Sequence, residues 1–113
     1  MPVINDYRFG HIVIDDREHS RDVVVLPNRV VPNWWRKDGH SLVVEDLAEV
    51  IEELPSNLIV GCGAHGRLEP DPHAIEELER RGINVEILPT EDGVNRYRQL
   101  DPATAAAALH LTC

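Results

Sequence analysis

Hydrophobic residues near the start of the chain occur in short β-branched runs rather than at helical spacing. Residues 9–14 (FGHIVI) and 22–26 (DVVVL) are typical of β-strands. The polar segment 15–20 between them predicts a hairpin with a loop of medium length. From 27 to 40 no period holds, because prolines, asparagines and a glycine interrupt the pattern. A loop of about a dozen residues inside a compact domain is uncommon and often functional.

In residues 41–55 the pattern changes to helical spacing. Five apolar residues lie at i, i+4, i+7, i+8 and i+11, which predicts the buried face of an α-helix. These residues are Val43, Leu47, Val50, Ile51 and Leu54. We interpret the acidic residues between them as a solvated face rather than a metal site.

Residues 58–88 predict a βαβ unit. The apolar runs 58–61 and 83–88 are typical of strands. Between them, Asp71 is a good N-cap, Pro72 a good first helical residue and Gly82 a good residue just past the helix end. We therefore expect two parallel strands joined by a right-handed crossover.

The C-terminal segment leaves two interpretations open. Thr90 can cap a helix that runs to Leu100, with Val94 and Tyr97 facing inward. After it, residues 103–109 favour a helix by local propensity, whereas 105–111 also fit the period of a strand. No repeat or linker divides the chain, so we predict a single domain.

Composition narrows the classes of partner. The 113 residues include 20 acidic and 11 basic side chains, for a formal net charge of -9. Because phosphate binding depends on clustered Lys and Arg, we expect neither a nucleic-acid partner nor binding to an anionic membrane. No signal peptide or membrane span is evident, and two cysteines do not suggest a disulfide framework, so we expect a cytoplasmic location. Neither the charge nor the cysteine content excludes self-association of the chain.

A glycine motif raises the question of a cofactor. Gly61, Gly63 and Gly66 follow a strand with the spacing G-x-G-x-x-G, which is typical of dinucleotide-binding turns. However, the predicted helix begins at Asp71, well beyond the third glycine, and Glu86 lies in mid-strand rather than at a strand end. We therefore predict no dinucleotide cofactor. Two interpretations remain: a sharp turn that needs glycine, or a small-ligand or anion site with Arg67 beside it.

Two further groups of residues have chemical potential. Cys62 with His65, and His110 with Cys113, are ligand types for zinc, but their intervals match no familiar zinc module. Cys62 is also a candidate nucleophile, although nothing fixes the geometry that would activate it. The alternative is a buried Cys62 and a His110 that is hydrogen-bonded in or near the sheet. We assign no catalytic residue and no metal ligand.

The segment 34–40 (WWRKDGH) combines aromatic rings, cations and a histidine. Trp and Arg are enriched in binding hot spots, so Trp35, Arg36 and His40 are candidate partner-binding residues. The structural alternative is that the loop covers one edge of the sheet with an indole buried.

Several short pieces in order resemble the Mth-domain family, long known as a domain of unknown function. They are FGHIVID, DVVVLPNRVV, W-R-x-x-G-H, LIVGCG, RRGINVEIL, the Thr90-Glu91 and Tyr97 spacing, and AAALHLTC. Animal members include an adipogenesis-associated protein and a mitochondrial assembly factor for respiratory complex I. Cys62, His65 and Gly66 lie outside the family pattern.

The resemblance implies a compact α/β domain with a mixed central sheet, flanking helices and an N-terminal β-hairpin layer. In that fold the chain ends in a strand, which decides against the helical interpretation of the alanine run. It implies no reaction. We therefore expect a non-catalytic domain that acts through an unknown protein partner. The second hypothesis is a small-ligand or anion-binding domain, or an unassigned enzyme. Its site is at Gly61 and Gly63 with Arg67, and Arg36 or His40 folded over it.

Overall fold

A mixed five-stranded sheet organises the chain in a computed structural model that describes residues 1–113. The strands are β1 (Ile4–Arg8), β2 (His11–Ile14), β3 (Arg17–His19), β4 (Val23–Val25), β5 (Val30–Val31), β6 (Ser41–Leu42), β7 (Asn57–Cys62), β8 (Glu69–Pro70), β9 (Asn84–Leu88) and β10 (Ala105–His110). The α-helices are α1 (Pro72–Arg80) and α2 (Thr90–Gln99), and two 3₁₀ segments span Val44–Leu47 and Ile51–Glu53.

The last strand of the chain lies at the centre of the main sheet. The strand order is β5-β4-β10-β7-β9, with β10 antiparallel to β4 and parallel to β7. Strands β7 and β9 are parallel, which confirms the βαβ unit predicted over 58–88. A three-stranded antiparallel sheet, β1-β2-β3, and a short parallel pair, β6-β8, complete the fold.

The alanine run is a strand because both faces of β10 are buried. Ala106 and Ala108 belong to the core on one face, with Leu58, Val60, Leu78 and Trp34. Ala105, Ala107 and Leu109 belong to the core on the other face, with Ile59, Val94, Tyr97 and residues of the N-terminal sheet. Burial between two layers outweighs the helical preference of alanine. The strand implied by the family resemblance is confirmed.

Helix α1 begins and ends where its sequence predicts. The Asp71 carboxylate accepts a hydrogen bond from the backbone N–H of His73, and Pro72 is the first helical residue. Gly82 follows the helix with a φ of 83°. Ion pairs of Glu76 with Arg80 and of Glu77 with Arg81 lie along its exposed side. No helix of the fold is both long and apolar enough to cross a bilayer.

The predicted hairpin between residues 9–14 and 22–26 is wrong. Strand β2 pairs with β1 and β3, whereas β4 pairs with β10 and β5. Asp15 and Asp16 both have positive φ, 50° and 65°, and they form a tight two-residue turn into β3. The sequence suggested a longer loop because two adjacent aspartates resemble an ordinary polar connection.

The α-helix predicted over residues 41–55 is also wrong, although four of the five apolar residues of its predicted face, all except Val43, do pack in or against the core. In an α-helix the carbonyl of Asp46 would accept the N–H of Val50. That carbonyl instead accepts the indole N–H of Trp34 at 2.9 Å, and the Val50 N–H donates to the carbonyl of Leu47. A side chain from the preceding loop thus replaces a helical hydrogen bond, and the segment forms two 3₁₀ turns.

The spacing of the layers around β10 predicts the effect of a larger side chain there. Ala107→Val should lower the free energy of unfolding by about 1–3 kcal/mol, because the added methyl groups overpack a fully buried position. The measurement is urea unfolding, with Ala103→Val at an exposed position as the control. A more stable Ala107→Val protein would show that strand propensity, and not packing, sets the composition of β10.

Candidate functional site

The loop 32–40 is anchored from within by a buried arginine. The side chain of Arg36 is 4% exposed, and its Nη2 lies 2.8 Å from Oδ2 of Asp22, just before β4. The same nitrogen donates to the carbonyl of Gly39 at 3.1 Å. The guanidinium carbon lies 4.7 Å from the centre of the Trp34 ring, a cation–π distance. Arg36 therefore fixes the path of the loop rather than projecting into solvent.

The end of β10 completes this cluster. Nδ1 of His110 lies 2.8 Å from Oδ2 of Asp22, and Oδ1 of Asp22 accepts the backbone N–H of Leu111 at 2.8 Å. We assign the ring proton of His110 to Nδ1, because the carboxylate can only accept. His40 lies outside the cluster, exposed, with its ring centre 6.1 Å from that of His110 in an edge-on arrangement. The sequence-based alternative of a hydrogen-bonded His110 is confirmed.

The charge of Asp22 is maintained by its partners. Burial acts to raise the pKa of this carboxyl, but hydrogen bonds from His110, from the Leu111 N–H and from Arg36 outweigh it, and the pKa is lowered. Asp22 is therefore ionised at neutral pH and compensates the buried charge of Arg36.

Asp46 holds the same loop at a second point. The carboxylate of Asp46 accepts the N–H groups of Lys37 and Val43, at 3.1 and 2.9 Å, and its carbonyl accepts the Trp34 indole. Trp34 is thereby buried, as the structural alternative for this segment required. Its neighbour Trp35 points the other way and is 76% exposed.

Between the loop and the 3₁₀ segments lies a surface groove of about 590 Å³. We call it the tryptophan groove. Its lining consists of apolar residues and a mainly acidic set of charged ones: Val31, Asn33, Trp34, Trp35, Lys37, Glu45, Asp46, Ala48, Glu49 and Val50. An exposed indole beside apolar surface is typical of a protein-binding site.

The first glycine of the G-x-G turn allows helix α2 to approach the sheet. A Cβ at Gly61 would lie 2.8 Å from a methyl of Leu109 and 3.2 Å from the Cα of Thr90. Gly93, in the first turns of α2, is buried and faces Gly61.

Thr90 does not cap helix α2 as predicted, because the N-cap residue of this helix is Pro89. The Thr90 hydroxyl instead donates to the carbonyl of His110 and accepts the N–H of Gly63.

The second glycine accommodates the end of the chain. Gly63 has a φ of 95°, and a Cβ there would lie 2.8 Å from Cδ2 of His110. The N–H of Ala64 donates to the Thr112 carbonyl, and the N–H of Arg67 donates to the Cys113 carbonyl. Residues 110–113 thus fill the space beside the turn where a ligand would approach. The N–H groups of residues 63, 64, 66 and 67 all have partners inside the protein. This arrangement supports the turn interpretation of the motif over the anion-site interpretation.

The two cysteines differ in their surroundings. Cys62 is buried in the core, and burial raises the pKa of its thiol to about 11, so the nucleophilic thiolate is scarce at neutral pH. Cys113 is partly exposed and both thiols are free. His65 is exposed on the turn. The chain contains no cluster of three or more His, Cys, Asp or Glu side chains arranged to hold a metal ion.

The structure does not bring the predicted site residues together into one site. Arg36 and Gly63 lie next to His110, with the exposed His40 at the edge of that cluster, and Gly61 lies against α2. Trp35 lines the tryptophan groove instead, and Arg67 is exposed on the turn. The sequence patterns did not single out Asp22, Asp46 or the acids of the groove. Asp22 resembled an ordinary first residue of a strand. Its pairing with Arg36 is evident only in the folded structure.

Comparison with known proteins places the chain in a recognised group. A family model described as "Protein of unknown function (DUF498/DUF598)" matches residues 4–110. The solved structure of MT938 is 32% identical, covers 100% of both chains and has a TM-score of 0.79. The conserved hypothetical protein PH1505 from Pyrococcus horikoshii is 27% identical over 98% of this chain and 99% of its own, with a TM-score of 0.83.

A more distant structure extends the same fold. A Mth938-like domain protein of Bordetella pertussis, solved by NMR in solution, is 18% identical over 96% of this chain and 85% of its own, with a TM-score of 0.77. Together with MT938, it confirms the resemblance to the Mth-domain family and the α/β fold class predicted from the sequence.

Helix α2 lies so close to Gly61 that adding a side chain at this position should disturb the packing. Gly61→Ala should destabilise the protein by about 1–3 kcal/mol, because the new Cβ meets the backbone of α2 as well as a movable leucine. Gly39→Ala is the matched control, since nothing lies within 4 Å of its Cβ position, and it should change stability by no more than about 0.5 kcal/mol. Equal melting temperatures for the two variants would contradict this role of Gly61.

The Asp22 cluster predicts a pH dependence. The folded-state pKa of Asp22 is lowered, so its contribution to stability is present above its unfolded pKa of about 3.9 and is lost as the pH falls through the folded pKa. Asp22→Asn leaves Arg36 without its counter-charge and should cost about 3–5 kcal/mol at neutral pH.

Urea unfolding from pH 7 to pH 3 measures this effect. The difference in free energy of unfolding between the wild type and Asp22→Asn should narrow below about pH 4, because Asp22 of the unfolded wild type then binds a proton that the folded protein does not. Asp6→Asn, an exposed aspartate, should follow the wild type throughout. A gap that stays constant with pH would show that the charge of Asp22 is not what stabilises the loop.

Proposed function

The chain belongs to the family of proteins of unknown function DUF498/DUF598, and from that premise we propose that it is a non-catalytic α/β domain that acts through a protein partner. The surface proposed for that partner is the tryptophan groove. The observation that carries the proposal is the 76% exposure of Trp35 on a loop that is otherwise rigidly held.

The rigidity of the loop supports this role. Just before Trp35, the backbone N–H of Trp34 donates to the Asp22 carbonyl and the Trp34 indole N–H donates to the Asp46 carbonyl. Just after it, Arg36 is paired with Asp22 and the Lys37 N–H donates to Asp46. An aromatic side chain on a preorganised backbone binds a partner without a large loss of conformational freedom. Trp34 already provides the core contact of this loop, and Trp35 adds its exposed indole to the apolar lining of the groove.

The buried polar residues support a structural role for the rest of the site. Arg36 and His110 are both bound to Asp22, and residues 110–113 fill the space beside the G-x-G turn. In this proposal Arg36 and His40, predicted as partner residues, contribute differently: Arg36 positions the loop from inside, and His40 remains an exposed neighbour.

The charge of the chain indicates the class of partner. A net charge of -9 disfavours nucleic acid and anionic membranes, so the proposed partner is a protein. The proposal includes a role in assembling larger complexes, like that of the assembly factor among the animal members of the Mth-domain family. It also includes a cytoplasmic location.

Affinity capture from a lysate of the native cell tests the proposal. Trp35→Ala should lose the captured partner, while its free energy of unfolding stays within about 0.5 kcal/mol of the wild type, because the side chain is exposed. Phe9→Ala, which truncates another exposed aromatic at the β1–β2 turn, should retain the partner. If the same proteins are captured by wild type and Trp35→Ala, the tryptophan groove is not the partner surface.

A further inference from the structure

The polar groups inside the tryptophan groove are largely engaged already. The Trp34 indole N–H is bound to the Asp46 carbonyl, and both oxygens of the Asp46 carboxylate accept backbone N–H groups. Small-molecule sites use a few convergent polar groups to orient the ligand. What this groove offers to an incoming molecule is instead apolar surface and charge.

That charge is negative and unpaired. Glu45 and Glu49 line the groove, and neither forms an ion pair within the chain. By contrast, Glu53 on the next turn forms a two-point ion pair with Arg29. Lys37 is the single cation of the lining, against three acids. The groove therefore complements a cationic side chain with an apolar stem.

We propose that the tryptophan groove binds a basic segment of a partner protein, with an arginine stacked on Trp35 and paired with Glu45 and Glu49. This inference rests on the proposed function and adds the chemistry of the partner. Apolar side chains beside the arginine would contact Val31 and Val50.

The interaction proposed for Trp35 already occurs within the chain at the neighbouring residue, Trp34. Arg36 stacks on Trp34 at 4.7 Å while its guanidinium pairs with a carboxylate, Asp22. Arginine suits such a site better than lysine, because its planar guanidinium stacks on an aromatic ring and still donates hydrogen bonds in its plane. In the groove, Trp35 would take the place of Trp34, and the two glutamates the place of Asp22.

Binding of short labelled synthetic peptides, followed by fluorescence anisotropy, tests the inference. One peptide alternates Arg with Leu, a second replaces Arg with Lys, and a third replaces Arg with Glu. The Arg peptide should saturate the wild-type protein, the Lys peptide should bind more weakly, and the Glu peptide should not bind. Raising the salt concentration should weaken the binding.

Matched charge reversals separate the groove from general attraction to an acidic protein. Glu45→Lys with Glu49→Lys should weaken binding of the Arg peptide by about tenfold or more, since attraction becomes repulsion. Glu76→Lys with Glu79→Lys makes the same change in net charge on the exposed side of α1 and should have a much smaller effect. Trp35→Ala should weaken binding at least as much as the groove reversal.

Three results with the peptides would overturn the inference. They are failure of the Arg peptide to saturate, equal effects of the two charge reversals, and undiminished binding by Trp35→Ala. If the Arg peptide does not bind but capture of a partner from the lysate still depends on Trp35, the basic partner segment is rejected and the proposed function is retained. If the wild-type protein self-associates and the groove reversal abolishes this, the occupant is a second copy of the chain, which also overturns the inference.

Discussion

Strand β10 lies in the middle of the main sheet, and the two layers of the core form on either side of it. The strand closes the gap between β4 and β7, and its residues contribute to the cores on both faces. Small side chains at Ala105–Ala108 let both covering layers approach. Because its partners lie far away in sequence, the sheet is completed only when almost the whole chain is present.

The features that resemble a functional site follow from that placement. Where β10 ends, His110 and the Leu111 N–H meet Asp22, and Asp22 holds Arg36. The same chain end fills the G-x-G turn of β7. Chemically suggestive residues are therefore brought together here by a structural need, to terminate the central strand and to fix one loop. Trp35 is the exception, because it leaves this cluster and faces solvent.

Local signals in the sequence were sufficient where an element is decided by its own residues. The caps of α1 and the parallel strands of the βαβ unit are of this kind. Prediction failed in one place because a side chain from another segment took over a backbone hydrogen bond, and in another because a turn has an uncommon backbone conformation. Trp34 occupies the carbonyl that a helix over residues 41–55 would have needed, and a turn of two aspartates with positive φ redirected the N-terminal hairpin. For the alanine run, residue patterns left helix and strand open, and only the family resemblance indicated the strand.

The fold class, the negative net charge and the loop that carries Trp35 and Arg36 follow from residue patterns and the family resemblance alone. The sequence could not determine which of two adjacent residues in that loop is buried, nor which carboxylate neutralises Arg36. In the folded protein, Arg36 lies inside with Asp22 and His110, and Trp35 lies outside in the groove that Glu45 and Glu49 also line. The physical reason is that a buried charge must find an opposite charge, and residues remote in sequence provide it only when the chain is folded.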